Sequence, residues 1–86
     1  MIKKKYDTMS KYNFSNVTES WQKRLVDEYQ TLNDRLVILN DSLKKDGFKD
    51  KVGEKQYGLL ITQKDAMSTY ANVLEERLID LKIINK

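Results

Sequence analysis

Tyr29, Arg35, Gln63, Lys64, Tyr70 and Arg77 are the side chains of this sequence best suited to holding a ligand. Tyrosine rings stack on bases, and arginine forks bind phosphate through paired hydrogen bonds. Glutamine and asparagine amides bond to base edges. Three of the six also stand out by spacing. Leu60, Met67, Leu74 and Leu81 recur every seven residues, as the core face of a long helix requires. The heptad positions three further on should also be apolar. They read Gln63, Tyr70, Arg77 and only then Ile84. On this register three polar groups lie inside an apolar seam, where burial without partners costs roughly 1–3 kcal/mol each. Either a ladder of interhelical hydrogen bonds satisfies them (Gln63 near Asn40, Tyr70 near Asn33, Arg77 near Glu28), or a ligand does. A ladder would fix register and oligomeric state. Both readings stay open on residues alone.

Trp21 and Arg24 are candidates for contact with a partner protein. A tryptophan near a helix start is ordinarily a packing anchor, and it gains interest only if its ring stays exposed. Lys23-Arg24 is ordinarily a solvated face. Asp27-Glu28 and Glu75-Glu76 are paired carboxylates, but no Glu-x-x-His accompanies them, so a di-metal bundle site is not expected. The sequence contains no histidine and no cysteine. That removes disulfides, Cys/His zinc sites and the commonest general base and nucleophile. No glycine-rich phosphate loop is present. The expectation is a binding protein with no catalytic residues, no metal and no cofactor.

The elements that must position these residues are set by periodicity. Leu25, Tyr29, Leu32, Leu36, Leu39 and Leu43 alternate steps of four and three, a heptad seam uninterrupted by proline. Helix 1 is expected over about 18–45, with Asn16/Glu19 as a capping box or Thr18 as a competing N-cap. Lys44-Lys45 suits the negative end of the helix dipole, and Gly47 the left-handed cap. A loop over 46–53 leads to helix 2, over about 54–84. A short loop between two long helices makes an antiparallel hairpin. Val26, Val37, Ile38, Leu59, Ile61, Val73, Ile79, Ile83 and Ile84 lie partly off the seam, so apolar surface remains beyond one face. The expected fold is therefore all-α: a coiled-coil-like two-helix hairpin, residues 18–86, assembling into a homo-oligomeric helical bundle. Residues 1–17 are expected to be a basic arm, flexible or loosely docked.

With 86 residues there is room for one domain at most, of a size that often needs oligomerisation to complete its core. The net charge is +3, of which two units sit in residues 1–20. A basic tail on a near-neutral body is a poor match to the concentrated stripe that nucleic-acid binding uses. No apolar run is long enough to span a membrane, and Met1–Lys5 is not followed by the apolar stretch of a signal peptide.

The segment Trp21-Gln22-Lys23-Arg24-Leu25-Val26-Asp27-Glu28-Tyr29, continuing through Leu32, Arg35, Leu36 and Leu39, resembles the first helix of a family of small helical-hairpin proteins of crAss-like and other tailed bacteriophages. Leu59-Leu60, Gln63, Ala66-Met67, Tyr70, Val73-Leu74-Glu75 and Arg77-Leu78 resemble the second. The resemblance spans about residues 20–81. It implies phage origin, action in the host bacterial cytoplasm, and oligomerisation. More loosely, the architecture is similar to phage sponge hairpins of the anti-CBASS and anti-Thoeris type, which sequester cyclic-nucleotide immune signals between subunits. No site residue is carried over from that class. The resulting expectation is a counter-defence protein that sequesters a small anionic signal. The alternatives are a protein-binding inhibitor of a host defence enzyme, such as an anti-CRISPR, and a structural or assembly coiled coil.

Overall fold

The computed structural model describes residues 12–85. Two long helices form an antiparallel pair, α1 (Ser20–Lys44) and α3 (Glu54–Asp80), joined through a five-residue helix, α2 (Phe48–Val52). A 3-10 turn, Phe14–Asn16, precedes them.

The start of α1 is organised by Gln22. Its Oε1 accepts the Thr18 N–H at 2.8 Å, the Glu19 N–H at 3.0 Å and the Thr18 hydroxyl at 3.2 Å. This satisfies backbone donors that a helix start leaves open. The capping box therefore runs from Glu19 to Gln22, three residues beyond the expected Asn16/Glu19 pair. At the other end Lys45 caps α1, and Gly47, with φ 81°, stands two residues further on as the residue that starts α2. Gly53, with φ 94°, makes the second reversal into α3. Both conformations are left-handed ones that glycine adopts without strain. The Tyr57 hydroxyl donates to the Leu43 carbonyl at 3.2 Å and fixes the level of α3 against α1.

α3 ends at Asp80, earlier than the expected position near 84. Lys82 takes φ 63°, and the chain turns back. Its N–H donates to the Ile79 carbonyl at 2.9 Å, and the Ile83 N–H donates to the Leu78 carbonyl at 2.9 Å. This is a Schellman ending with lysine where glycine is usual, closed by the contact of Ile83 with Leu78 that such endings favour. Ile84 is thus off the helix. It forms an antiparallel bridge with Tyr12, and the Asn13 N–H donates to the Ile83 carbonyl at 2.6 Å. Asn16 Nδ2 donates to the Lys82 carbonyl at 2.7 Å. Residues 12–17 are therefore docked on the hairpin, the second of the two arrangements expected for the arm. The lysines of residues 1–11 lie outside the described residues.

The core sits at the end of the hairpin where the termini meet. Tyr12, Leu25, Val26, Leu32, Ala71, Leu74, Leu78, Ile83 and Ile84 are buried there. Toward the turn, Leu36, Leu39, Leu43, Leu60 and Met67 are only half-buried, and Val37, Ile38, Leu59 and Ile61 are exposed. Among the described residues no helix is long and apolar enough to cross a membrane.

Candidate functional site

The buried and half-buried positions of α3 include Leu60, Lys64, Met67, Ala71, Leu74 and Leu78. From Leu60, Met67 and Leu74 the seam steps by four, to Lys64, Ala71 and Leu78. The expected step of three, to Gln63, Tyr70 and Arg77, is not taken. A helix of 3.6 residues per turn accommodates either step. Burial selects the one that covers Ala71 and Leu78. Of its three positions only Lys64 is polar, and its alkyl stem can lie along the seam with the ammonium at the edge. Gln63, Tyr70 and Arg77 are exposed. They do not form a ladder with α1: Gln63 Nε2 reaches Met67 Sδ on its own helix at 3.8 Å, and Asn33 bonds to Tyr29 instead of Tyr70.

The exposed residues form a second stripe. Leu59, Gln63, Ala66, Tyr70, Val73 and Arg77 are separated by steps of four and three, and all are exposed. This is a heptad pattern beside the inner one. On α1 the matching stripe is Trp21, Glu28 and Arg35, seven residues apart and exposed, with Arg24 next to it. The two stripes share a face. Asp27, Glu28, Thr31, Leu32 and Arg35 of α1 and Tyr70 of α3 line one shallow depression of about 280 Å³. Gln63 and Arg77 lie about 10 Å along the helix on either side of Tyr70, from the rise per residue.

Of the six ligand candidates, Arg35 and Tyr70 are thus brought together, and Gln63 and Arg77 flank them on the same edge. Tyr29 and Lys64 are not on that face; both are half-buried. Tyr29 sits with Asn33 and Glu75, and burial together with the Glu75 charge raises its pKa above the usual tyrosine value. Trp21 is 43% exposed and Tyr70 45%. Sequence reasoning weighed Asp27 and Glu28 as paired carboxylates and Leu59 and Val73 as apolar surface off the seam, but did not place them on the face that Tyr70 shares with Arg35. The signal for Leu59 and Val73 lies in their four-three spacing.

Electrostatically the depression is incomplete as an anion site. One guanidinium faces two carboxylates, and Lys23 approaches Asp27 at 3.9 Å from the solvent side. Among the described residues no group of three or more His, Cys, Asp or Glu side chains could hold a metal ion.

The segments 12–17 and 82–84 meet on another side of the hairpin. Tyr12 stacks on Phe14 and bonds to Gln30, with Tyr29, Glu75 and Asp34 nearby. Gln30 is five residues from Arg35, about 140° round α1 at 100° per residue. Burial first, then the neighbouring Tyr29, pushes the Tyr12 pKa up to about 12. A folded-state pKa above the unfolded value of 10.0 means that the unfolded chain loses this proton first. Stability is then fully present below pH 10 and falls as the pH rises toward 12. The thermal midpoint is expected to drop over that interval, and Tyr12→Phe should flatten the drop. Parallel curves for the two proteins would show that Tyr12 does not cause it.

The chain belongs to the Sequestin family. The family model, described as Sequestin, matches residues 19–80. The match begins at the cap of α1 and stops at the last residue of α3, so it covers the hairpin and the outer stripe and omits the docked termini. No curated protein and no solved structure matches the chain.

Proposed function

We propose that this Sequestin-family hairpin is a phage-encoded counter-defence protein. It binds a small anionic immune signal of the cyclic-nucleotide type and withholds it from its receptor without altering it. The carrying observation is the open depression that brings Arg35 and Tyr70 together, with Gln63 and Arg77 exposed about 10 Å to either side of Tyr70 on the same stripe. The family name supports a sequestering role. The site of action is the host bacterial cytoplasm, and the working form is a homo-oligomer. Its support is the apolar surface left outside the core at Val37, Ile38, Leu59 and Val73.

A second reading, an inhibitor that docks on a host defence enzyme, is favoured by Trp21, whose ring is half out of the core on that face. Tryptophan is a common anchor of protein interfaces.

Native mass spectra with a panel of cyclic di- and trinucleotides and cyclic ADP-ribose isomers test the proposal. The expected result is an oligomer that gains whole numbers of one ligand. Arg77→Ala should weaken that binding roughly 10–100-fold, the range for losing a charge-assisted hydrogen bond. An oligomer that gains nothing, with a host protein retained from extract through Trp21, would replace the sponge reading by the inhibitor reading.

A further inference from the structure

We infer that Asp27 and Glu28 act as a charge filter at the open depression: they hold off nucleotides of dense negative charge, ATP foremost, and so leave Arg35 and Tyr70 free for a ligand of lower charge. The inference rests on the ligand-binding reading above and adds to it the class of competitor that the site refuses.

The lining of the depression carries it. Its charged groups are Arg35, Asp27 and Glu28, one cation against two anions. Arg35 and Glu28 are exposed, and among the described residues neither makes an ion pair. Asp27 meets Lys23 at 3.9 Å, but both side chains are largely exposed, and such a pair is worth little in water. The guanidinium is therefore available to a ligand, and the carboxylates are available to repel one. A site that gathered anions by its field would be lined by cations. Here the attraction must come from close contacts: stacking on Tyr70, the fork of Arg35 and the apolar floor at Leu32, which is buried.

The dimensions turn these charges into a filter. A sphere of 280 Å³ is about 8 Å across, close to one Debye length at physiological salt. An anion seated against Arg35 and Tyr70 therefore still feels both carboxylates. The order of residues along α1 adds a second barrier. Arg24, Glu28 and Arg35 fall within about 40° of one another round the helix, at 100° per residue, and all are exposed. The two arginines are about 16 Å apart along the axis, with the carboxylates between them. Because α3 runs antiparallel, Arg77 lies on the Arg24 side of Tyr70. A polyphosphate reaching from Arg35 toward Arg24 or Arg77 must pass both carboxylates. A ligand with few phosphates and a larger aromatic and sugar body need not.

The filter answers a chemical need. A protein that withholds a scarce signal one for one is silenced if the abundant nucleoside triphosphates of the cell fill it. Repulsion aimed at the wrong ligand gives selectivity that attraction alone does not, and it costs the right ligand less when that ligand carries less charge.

AMP, ADP and ATP share a base and a ribose and differ in charge, so they probe the filter directly. Their affinities are to be measured by titration calorimetry for the full chain and for Asp27→Asn/Glu28→Gln. Both replacements keep the side-chain size at exposed positions, so the circular dichroism melts should match. The double variant should gain affinity along the series, about threefold for AMP and about tenfold for ATP, because the repulsion removed scales with ligand charge. Added salt should shrink the gain. Arg35→Ala in the double variant should abolish it, which places the bound ATP in the depression. No gain, or an equal gain for AMP and ATP, overturns the filter. So does a gain that Arg35→Ala leaves untouched, since ATP then binds elsewhere. A parent that retains a panel cyclic nucleotide through Arg35, with no ATP gain in the variant, keeps the ligand site and removes the filter. An ATP gain through Arg35, with no panel nucleotide bound by the parent, keeps the filter and removes the cyclic-nucleotide reading.

Discussion

A chain that stops at Asp80 is expected to lose its cooperative thermal transition. The deletion removes Ile83, which is fully buried, and Ile84, the bridge partner of Tyr12, and so takes two members out of the one core cluster. Two buried isoleucines contribute roughly 1.5–3 kcal/mol each by area alone. The Leu78 carbonyl also loses the N–H groups of Ile83 and Ile84, and the Ile79 carbonyl loses that of Lys82. Relief of the left-handed Lys82 conformation returns only about 1–2 kcal/mol. A domain of this size is stable by roughly 5–15 kcal/mol in all, so the sum is a large share. Circular dichroism melts of the truncated and full chains decide it. A truncated chain melting sharply within a few degrees of the full one would show that the hairpin stands without its terminal turn.

The second large effect is expected at Leu78. Its side chain has no exposed surface, and it lies where α3, α1 and the returning C-terminal segment meet. Leu78→Ala should cost about 2–5 kcal/mol, the range for large-to-small changes in a core that only partly collapses. For a domain of this length that is a fall of roughly 10 °C or more in the midpoint. Leu59→Ala is the matched comparison, since Leu59 is exposed in the single chain. It should change monomer stability by no more than about 0.5 kcal/mol. Equal losses at the two positions, read by denaturant titration at low protein concentration, would contradict the placement of the core.

Which parts of this structure are legible in the sequence depends on how local their causes are. The α1 seam, the glycine at the turn and the antiparallel pairing come from spacing and from residues that act on their immediate neighbours. The register of α3 departs from its expectation for a definite reason. From each leucine, a step of three and a step of four are both helical, and the polar residues happen to lie on the step of three. Ala71, small and unassuming, is the position that tips the choice. With it, Gln63, Tyr70 and Arg77 move from a buried ladder to an exposed edge, and the question they pose changes from what satisfies them to what covers them. The end of α3 is hidden from sequence reasoning because no glycine or proline marks it. Lys82 accepts the left-handed conformation because its neighbour Ile83 is then buried against Leu78. The burial of Tyr12 is equally hidden, since it depends on residues at the far end of the chain.

The bridge between Tyr12 and Ile84 also bears on the order of folding. The α1–α3 pairing propagates from the tight turn by closing short loops, one helical turn after another. Joining the two ends closes nearly the whole chain in one step, and the entropy of doing so is recovered only after both helices are in place. The terminal clasp should therefore form last and open first. Yet the best-packed part of the core lies directly beneath it. The hairpin is thus quickest to form at its turn and most firmly held at its ends, and the rate at which the clasp opens sets how often the core meets water.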